Sequence, residues 1–302
     1  MEWLYFALLS TILFGIVNIF DKFILSKINS LKLSPQYAVI IMFSHFFFAA
    51  LMITFNPLEY VFPHAILGIS IGFLWFASIV FYSLGLYKGD VSNVIPFLFL
   101  TTLFIAPLAF IFLGESLITF QYIGIILMVI GAITISYKKI PGRLPIAPFV
   151  KYIFPSIIIG AILSVTEKFI LTAINYWSLY FYASFGGLST ALITLTLFPK
   201  FRNGFIQVLN ILKSKFIVVV ITQTTAFLAL ITFFIAISMQ FVSIVSSISA
   251  LQPFFVFIYT VLISRFFPKL LKERYTKASI LLKIISITTI FIGSLLVTKA
   301  FT

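Results

Sequence analysis

Residues 18–25, Asn-Ile-Phe-Asp-Lys-Phe-Ile-Leu, and residues 164–171, Ser-Val-Thr-Glu-Lys-Phe-Ile-Leu, are two copies of one phrase. Each copy has an acid followed by a lysine and an identical Phe-Ile-Leu, and each lies inside a long apolar run. The two acids, Asp21 and Glu167, are 146 residues apart in a chain of 302. A duplication of about half the length in so apolar a chain is typical of membrane proteins built from two repeated halves.

The composition excludes a soluble fold. Hydrophobic residues make up 62% of the chain and charged residues 9%, whereas a soluble domain is about one quarter charged. The apolar stretches are about twenty residues long and do not alternate strictly, so they predict membrane helices and not barrel strands. The net charge of +13 would favour nucleic acid in a soluble protein, but here it favours basic cytoplasmic loops and no nucleic-acid partner.

Ten apolar segments are predicted to cross the membrane, which makes the fold all-α. Their connections are short, and the longest polar connections are residues 138–148, 199–215 and 266–278. The N-terminus lacks a basic region and a small-residue cleavage site, so the first segment is predicted to be a retained span. The ten segments are 3–24, 37–56, 64–86, 91–113, 118–137, 151–173, 176–198, 216–237, 242–264 and 279–298.

The basic residues predict the orientation of the ten spans. Lysine and arginine occur in every odd-numbered connection and in none of the even-numbered ones. Ten spans place all odd connections on one side, which the positive-inside rule makes cytoplasmic. We therefore expect a multi-pass protein of the cell membrane with both termini outside.

Further matches extend the duplication beyond the opening phrase. Because each half has five spans, an odd number, the second half is predicted to enter the membrane upside down. The predicted organisation is a first repeat at 1–140, a linker at 141–150 and a second repeat at 151–302. The matching segments are Val91-Ser92 with Val242-Ser243, Leu100-Thr101-Thr102 with Leu251-Gln252-Pro253, and Leu113-Gly114-Glu115 with Leu271-Lys272-Glu273.

The run from Phe81 to Ser136 resembles a known family. It has Gly-Leu-Tyr at the end of span three, Leu-Gly-Glu-Ser at 113–116, Gln-Tyr-Ile-Gly at 121–124 and Gly131 in span five. Together these resemble the EamA family of the drug/metabolite transporter superfamily. The resemblance implies ten spans in two five-span halves and the export or exchange of small metabolites. In span two His45 stands where relatives often have an arginine, and in span four Thr102 stands where they often have a proline.

Spans four and nine are the polar candidates for a substrate site. A carrier needs polar groups near the interface of its halves, and spacings of three and four place Ser246, Ser249 and Pro253 on one helical face. Pro253 is expected to free an upstream carbonyl for a ligand. The alternative is that these hydroxyls join helices to each other. The candidate substrate-binding residues of these two spans are Ser246, Ser249, Gln252, Pro253, Asn93, Thr101 and Thr102.

Three other spans add candidates. Gln223 in span eight is predicted to face the bundle interior, toward substrate or another helix. Trp75 and Tyr82 in span three face roughly the same way and could stack on a planar or cationic substrate, or simply pack. His45 in span two is a candidate for proton coupling or a hydrogen-bonded structural residue. The pattern Gly68-Ile-Ser-Ile-Gly72 predicts a close helix contact.

The repeated acid-base pairs have two interpretations. Asp21 and Lys22 are neighbours on a helix and so are not expected to pair with each other. Because the halves are inverted, Asp21-Lys22 and Glu167-Lys168 are predicted to lie toward opposite membrane faces, away from a central substrate site. They are candidate gates at the two mouths of a carrier, or interfacial anchors.

These features predict a secondary carrier and not an enzyme. We expect it to move a small polar or amphipathic metabolite, such as an amino-acid-like solute, by alternating access, with proton or exchange-substrate coupling. The alternatives are a scaffold or receptor without a polar cavity, a lipid-acting enzyme, and a multidrug exporter, which would need an acid deep in the cavity. The chain has no Walker loop, cysteine or metal-ligand cluster, so no cofactor or metal is predicted, and lipids and a small substrate are the expected partners.

Overall fold

The computed structural model describes residues 2–136, 148–266 and 277–298, which contain helices and no strand. Short 3₁₀ turns lie at Ser34–Gln36 and Lys213–Lys215. The α-helices of these ranges are α1 (Glu2–Ile28), α2 (Tyr37–Met52), α3 (His64–Lys88), α4 (Val91–Leu98), α5 (Thr101–Leu113), α6 (Thr119–Ser136), α7 (Val150–Ile170), α8 (Tyr176–Leu197), α9 (Pro199–Leu212), α10 (Phe216–Met239), α11 (Val242–Ser249), α12 (Gln252–Phe266) and α13 (Lys277–Thr298).

The chain is an integral, multi-pass membrane protein. Among the described residues, eight helical segments are long and apolar enough to cross a membrane. They comprise α1, α2 with its preceding turn, α3, α4 with α5, α7, α8, α9 with α10, and α11 with α12. Shorter apolar stretches lie in α6, over Thr119–Gly131, and in α13, over Ile280–Gly293. Each of the ten predicted segments therefore contains a helix.

Predicted spans four and nine are not continuous helices. The fourth is divided into α4 and α5, and the ninth into α11 and α12. Both breaks have the same position within their segments, because α4 and α11, and likewise α5 and α12, begin 151 residues apart. This is the separation at which the sequence matches Val91-Ser92 to Val242-Ser243.

The predicted polar connection at 199–215 is largely helical. Most of that segment is α9, which buries Gly204, Val208 and Leu212 at spacings of four residues. These positions form one face of a helix. Lys200 and Arg202, in the first turn of α9, make this segment look polar in the sequence. Both side chains are exposed, so they do not interrupt the buried face.

Helix packing follows a crossed pattern. In the described residues, α1 packs along α10 and α12, whereas α7 packs along α3 and α5. The short helices α4 and α11 contact α7 and α1, respectively, and α6 packs along α13. Each first helix of a predicted half thus contacts the third and fourth segments of the other half. This arrangement places side chains of both halves around one central space.

The predicted close contact at Gly68 and Gly72 is confirmed. A Cβ atom on Gly68 would lie 2.9 Å from Cβ of Tyr182, and one on Gly72 would overlap the backbone at Ala183 and Gly187. Gly186 and Gly187 in α8 supply the matching thin surface, because a Cβ atom on Gly186 would overlap the carbonyl of Ile69. Paired glycines let the two backbones touch.

Part of the predicted organisation lies outside the described residues. This applies to 141–147 of the predicted linker and to Leu271-Lys272-Glu273, the second copy of the Leu-Gly-Glu match.

Candidate substrate cavity

Two adjoining cavities occupy the space between the helices. The Glu167 cavity has a volume of about 280 Å³ and is lined from α1, α3, α4, α5, α7, α10, α11 and α12. The Asp21 cavity has a volume of about 210 Å³ and is lined from α1, α2, α3 and α10. Phe14, Trp75 and Leu230 line both cavities, so they form the wall between them. Both helix breaks border the Glu167 cavity, through Phe99 and Ser249.

Two tyrosines hydrogen-bond to the carboxyl group of Asp21 in its cavity. Tyr37 donates to Asp21 Oδ1 over 2.8 Å, and Tyr82 lies 3.1 Å from Oδ2 and 2.9 Å from Asn18 Oδ1. Gln223 Nε2 donates to the Tyr37 oxygen over 3.0 Å. Asp21 is 4% exposed, and burial of a carboxylate is costly unless such donors compensate it. The network therefore joins α1 to α2, α3 and α10.

His45 lies beside this network. Its Nδ1 is 2.8 Å from the Tyr180 hydroxyl, and its ring centroid is 5.0 Å from that of Trp75. The side chain is buried and lines the Asp21 cavity. His45 thus joins α2 to α8 through a hydrogen bond and also lines the cavity.

Several polar groups of the Glu167 cavity lack such partners, although Ser78, Thr101 and Ser249 are hydrogen-bonded. Within residues 2–136, 148–266 and 277–298, the side chains of Glu167, Ser164 and Gln252 make no hydrogen bond. Ser246 Oγ is buried and also without a partner in that part of the chain. Buried polar groups are normally hydrogen-bonded. A cavity lined by unbonded acceptors therefore has the chemistry of a ligand site.

The two lysines of the repeated phrase cap helices. Lys22 Nζ donates to the carbonyls of Leu86 and Gly89, each over 2.7 Å, at the end of α3. Lys168 Nζ donates to Ile237 over 2.7 Å and to Gln240 over 3.0 Å, at the end of α10. The paired carbonyls are 151 residues apart. A cation is favourable at a helix C-terminus, where carbonyls lack partners.

We expect Lys168→Met to destabilise the protein by about 2–4 kcal/mol, because two carbonyls lose a charged donor. Thermal unfolding of the purified chain in detergent measures this effect. Lys151→Met is the matched control, since Lys151 is exposed and its replacement should change stability by less than about 0.5 kcal/mol. Equal stability of the two variants would contradict the capping role.

A buried acid and a buried lysine lie at the starts of α11 and α4. Glu115 accepts hydrogen bonds from Val242 N over 2.8 Å, Ser243 N over 3.1 Å and Ser243 Oγ over 2.6 Å. Gly114, whose φ of 69° is left-handed, ends α5 and leads the chain to this acid. Lys283 of α13 donates to Ser92 Oγ in the first turn of α4. The sequence analysis missed both roles.

The family comparison agrees with the resemblance seen in the sequence. Residues 1–137 match the EamA-like transporter family. This part of the chain, 137 of 302 residues, is similar to that family. Its members are membrane transporters of the drug/metabolite transporter type, not enzymes. The EamA-like match ends where the first predicted repeat ends, close to residue 140.

Solved structures extend the comparison to nearly the whole chain. A protein crystal structure superposes on this chain with a TM-score of 0.61, covering 96% of this chain and 97% of that one. The two sequences are 14% identical, so this likeness shows the fold alone. No curated protein matches the chain in sequence.

The structure brings most of the predicted substrate-binding residues to the cavities. Tyr82 and Gln223 line the Asp21 cavity, and Trp75 lines both. Asn93 and Pro253 line neither cavity. The residues that line the Glu167 cavity are Thr101, Thr102, Ser246, Ser249 and Gln252, together with Trp75.

Pro253 does not act as the sequence analysis expected. It is the second residue of α12, where proline is tolerated because a backbone N–H has no intrahelical partner. The break at α4 and α5 occurs with Thr102 at the matching position. A proline at this matching position is therefore not required for the break, and Pro253 does not present a free carbonyl within a continuous helix.

The expected placement of the acids away from the polar site is wrong. Asp21 and Glu167 both line cavities, although each lies toward the C-terminal end of its helix. The expectation that Asp21 and Lys22 have different partners is confirmed. Residues that the sequence analysis missed as cavity lining include Phe14, Ser78, Phe99, Ser164 and Phe233.

Proposed function

We propose that this chain is a secondary carrier that binds a small polar or amphipathic metabolite in the Glu167 cavity and moves it by alternating access. The observation that carries the proposal is a cavity lined from both halves of the chain, in which several polar side chains, among them Glu167 and Ser246, have no hydrogen-bond partner among the described residues. Discontinuous helices border that cavity, as they border the substrate sites of many transporters. Proton coupling or exchange would supply the energy.

The proposal includes ten spans in two inverted repeats, residues 1–140 and 151–302, joined by 141–150. Three features support it: the equal register of the two helix breaks, the two matching lysine caps, and the crossed packing of α1 and α7. Inverted repeats with a site at their interface are a common design of carriers. The basic odd-numbered connections would be cytoplasmic and both termini outside, in the cell membrane.

Two other functions fit less well. A scaffold or receptor has no need of a central polar cavity, yet unbonded polar groups line the Glu167 cavity. A lipid-acting enzyme needs acids, histidines or activated serines gathered at one interface. Asp21 and Glu167 line separate cavities, and Tyr37 and Tyr82 occupy Asp21.

Gln252→Leu should lower the transport rate about tenfold. Leucine has a volume similar to that of glutamine but lacks the amide that would hydrogen-bond to the substrate. The measurement is uptake and efflux of a broad solute panel by proteoliposomes containing the full chain. Asn93→Leu is the matched control, since it removes an amide from the broken span four at a position that lines neither cavity. Its rate should stay within about twofold of the wild type.

Two results would count against the carrier. One is the absence of protein-dependent flux for every solute in the panel. The other is an equal rate for Gln252→Leu and Asn93→Leu at equal amounts of folded protein, which would remove the Glu167 cavity from the transport path.

A further inference from the structure

We infer that Glu167 binds the ammonium group of a cationic substrate, whereas Asp21, its counterpart in the first half, has become a structural residue. The inference rests on the proposed transport function and names the substrate class of the same cavity. It comes from a difference between the two halves, which share a register but not the partners of their acids.

The lysine caps define the register of the two halves. Lys22 and Lys168 are 146 residues apart, and the carbonyls that they bind are 151 residues apart. On the first helices, Asp21 therefore matches Glu167 and Asn18 matches Ser164. On the third segments, Tyr82 matches Phe233. Phe233 has no hydroxyl, so the second half lacks the donor that Tyr82 supplies in the first.

Because Phe233 lacks this hydroxyl, the carboxyl groups of Asp21 and Glu167 differ in their hydrogen bonds. Asp21 accepts hydrogen bonds from Tyr37 and Tyr82. The Glu167 carboxyl has no hydrogen-bond partner among the described residues and faces a cavity that Phe233 also lines. A carboxylate away from water is costly unless a cation or donors accompany it. The empty partner position of Glu167 is therefore available to a ligand.

The other lining groups favour an organic ammonium ion. An ammonium has N–H donors and no acceptor, and Ser246 Oγ, Ser164 Oγ and the Gln252 amide oxygen are unbonded acceptors within the described residues. Phe14, Trp75 and Phe233 add aromatic rings, which attract cations. The cavity volume of about 280 Å³ far exceeds the roughly 30 Å³ of a single water, so an organic group fits with the charge.

The charged residues around the cavity are consistent with a cationic ligand. Lys168 follows Glu167 directly, but its ammonium is bound to the carbonyls of Ile237 and Gln240. Lys22 is likewise bound to the end of α3. Among the described residues that line the Glu167 cavity, Glu167 is the one charged side chain.

Equilibrium binding of radiolabelled 2-phenylethylammonium to the purified full-length chain tests the inference. We expect saturable binding that short alkylammonium ions displace, with little displacement by the neutral 2-phenylethanol or the anionic 3-phenylpropanoate. Glu167→Gln should weaken binding about tenfold to hundredfold, because a charge-assisted hydrogen bond is lost. Glu59→Gln, at an exposed acid, is the control and should retain wild-type affinity.

Two further variants separate binding from folding. Phe233→Tyr restores the hydroxyl of the first half and should weaken ammonium binding by competing for Glu167. Glu167→Gln should not lower thermal stability, since the carboxyl has no partner to lose and its unpaired charge is costly. Asp21→Asn should lower thermal stability, because it disturbs bonds with two tyrosines.

Wild-type affinity in Glu167→Gln, equal competition by 2-phenylethanol, or no saturable binding of any ammonium probe would overturn the inference. These outcomes can be told apart from failure of the transport proposal, which would be the absence of protein-dependent flux for every solute. If Glu167→Gln proteoliposomes move a neutral or anionic solute at the wild-type rate, transport stands and the cationic substrate does not.

Discussion

Gly186→Ala should destabilise the protein by about 1–3 kcal/mol, the usual cost of an added group in a well-packed contact. A Cβ atom at this position would overlap the Ile69 carbonyl and lie 3.2 Å from the Gly72 Cα atom. Both obstacles are backbone, so no side-chain rotation relieves the overlap. The helices α3 and α8 would have to separate, and thermal unfolding in detergent should show a lower midpoint.

Gly160→Ala is the matched control for this prediction. Both glycines lie within helices, so both substitutions gain helix propensity, about 1 kcal/mol. A Cβ atom on Gly160 would make an ordinary contact, 3.5 Å from Thr101 Cγ2. Gly160→Ala should therefore be neutral or stabilising. A Gly186→Ala protein as stable as Gly160→Ala would show that the α3–α8 contact can expand at no cost.

The fold was predictable where a pattern has one physical meaning. Long apolar runs have to be membrane helices, and small residues at Gly68 and Gly72 mark a thin helix face. The same pattern does not name its partner, because Gly186 and Gly187 form one of several possible small surfaces. The breaks in spans four and nine were missed, since α4 and α5 together read as one apolar run.

The uncharged polar residues of the candidate site could be predicted from the sequence, whereas its acids could not. Ser246, Thr101 and Gln252 stand out as polar residues in apolar spans. Glu167 was placed by its distance along α7, but the cavity reaches that turn of the helix. Which of the two acids is hydrogen-bonded depends on tyrosines from other helices. The lysine caps extend to the third segments the register of Val91-Ser92 and Val242-Ser243, in which Tyr82 corresponds to Phe233.

Glu115→Gln should have the largest effect on stability, about 3–5 kcal/mol, because several buried hydrogen bonds to one charged acceptor are weakened or lost. Glu115 is 2% exposed and accepts from the backbone N–H groups of Val242 and Ser243 and from the Ser243 hydroxyl. An amide turns one acceptor into a donor that faces these donors. It also removes the negative charge from the N-terminus of α11, where an anion is favourable.

Glu59→Gln is the matched control, because Glu59 Oε2 also accepts from a backbone N–H, that of Asn175, over 2.7 Å, yet its side chain is exposed. Water can replace that bond, so the loss should stay below about 1 kcal/mol. Glu115→Asp keeps the charge on a shorter side chain and should fall between the two. Because Glu115 also attracts Lys168, Glu115→Gln should weaken the contacts that join the end of α10, which Lys168 caps, to the start of α11.

Thermal unfolding of the three variants should therefore rank Glu59→Gln, Glu115→Asp and Glu115→Gln in order of falling stability. Equal values for the two Gln variants would mean that water reaches the start of α11, and that the cap adds nothing to the break beside the Glu167 cavity.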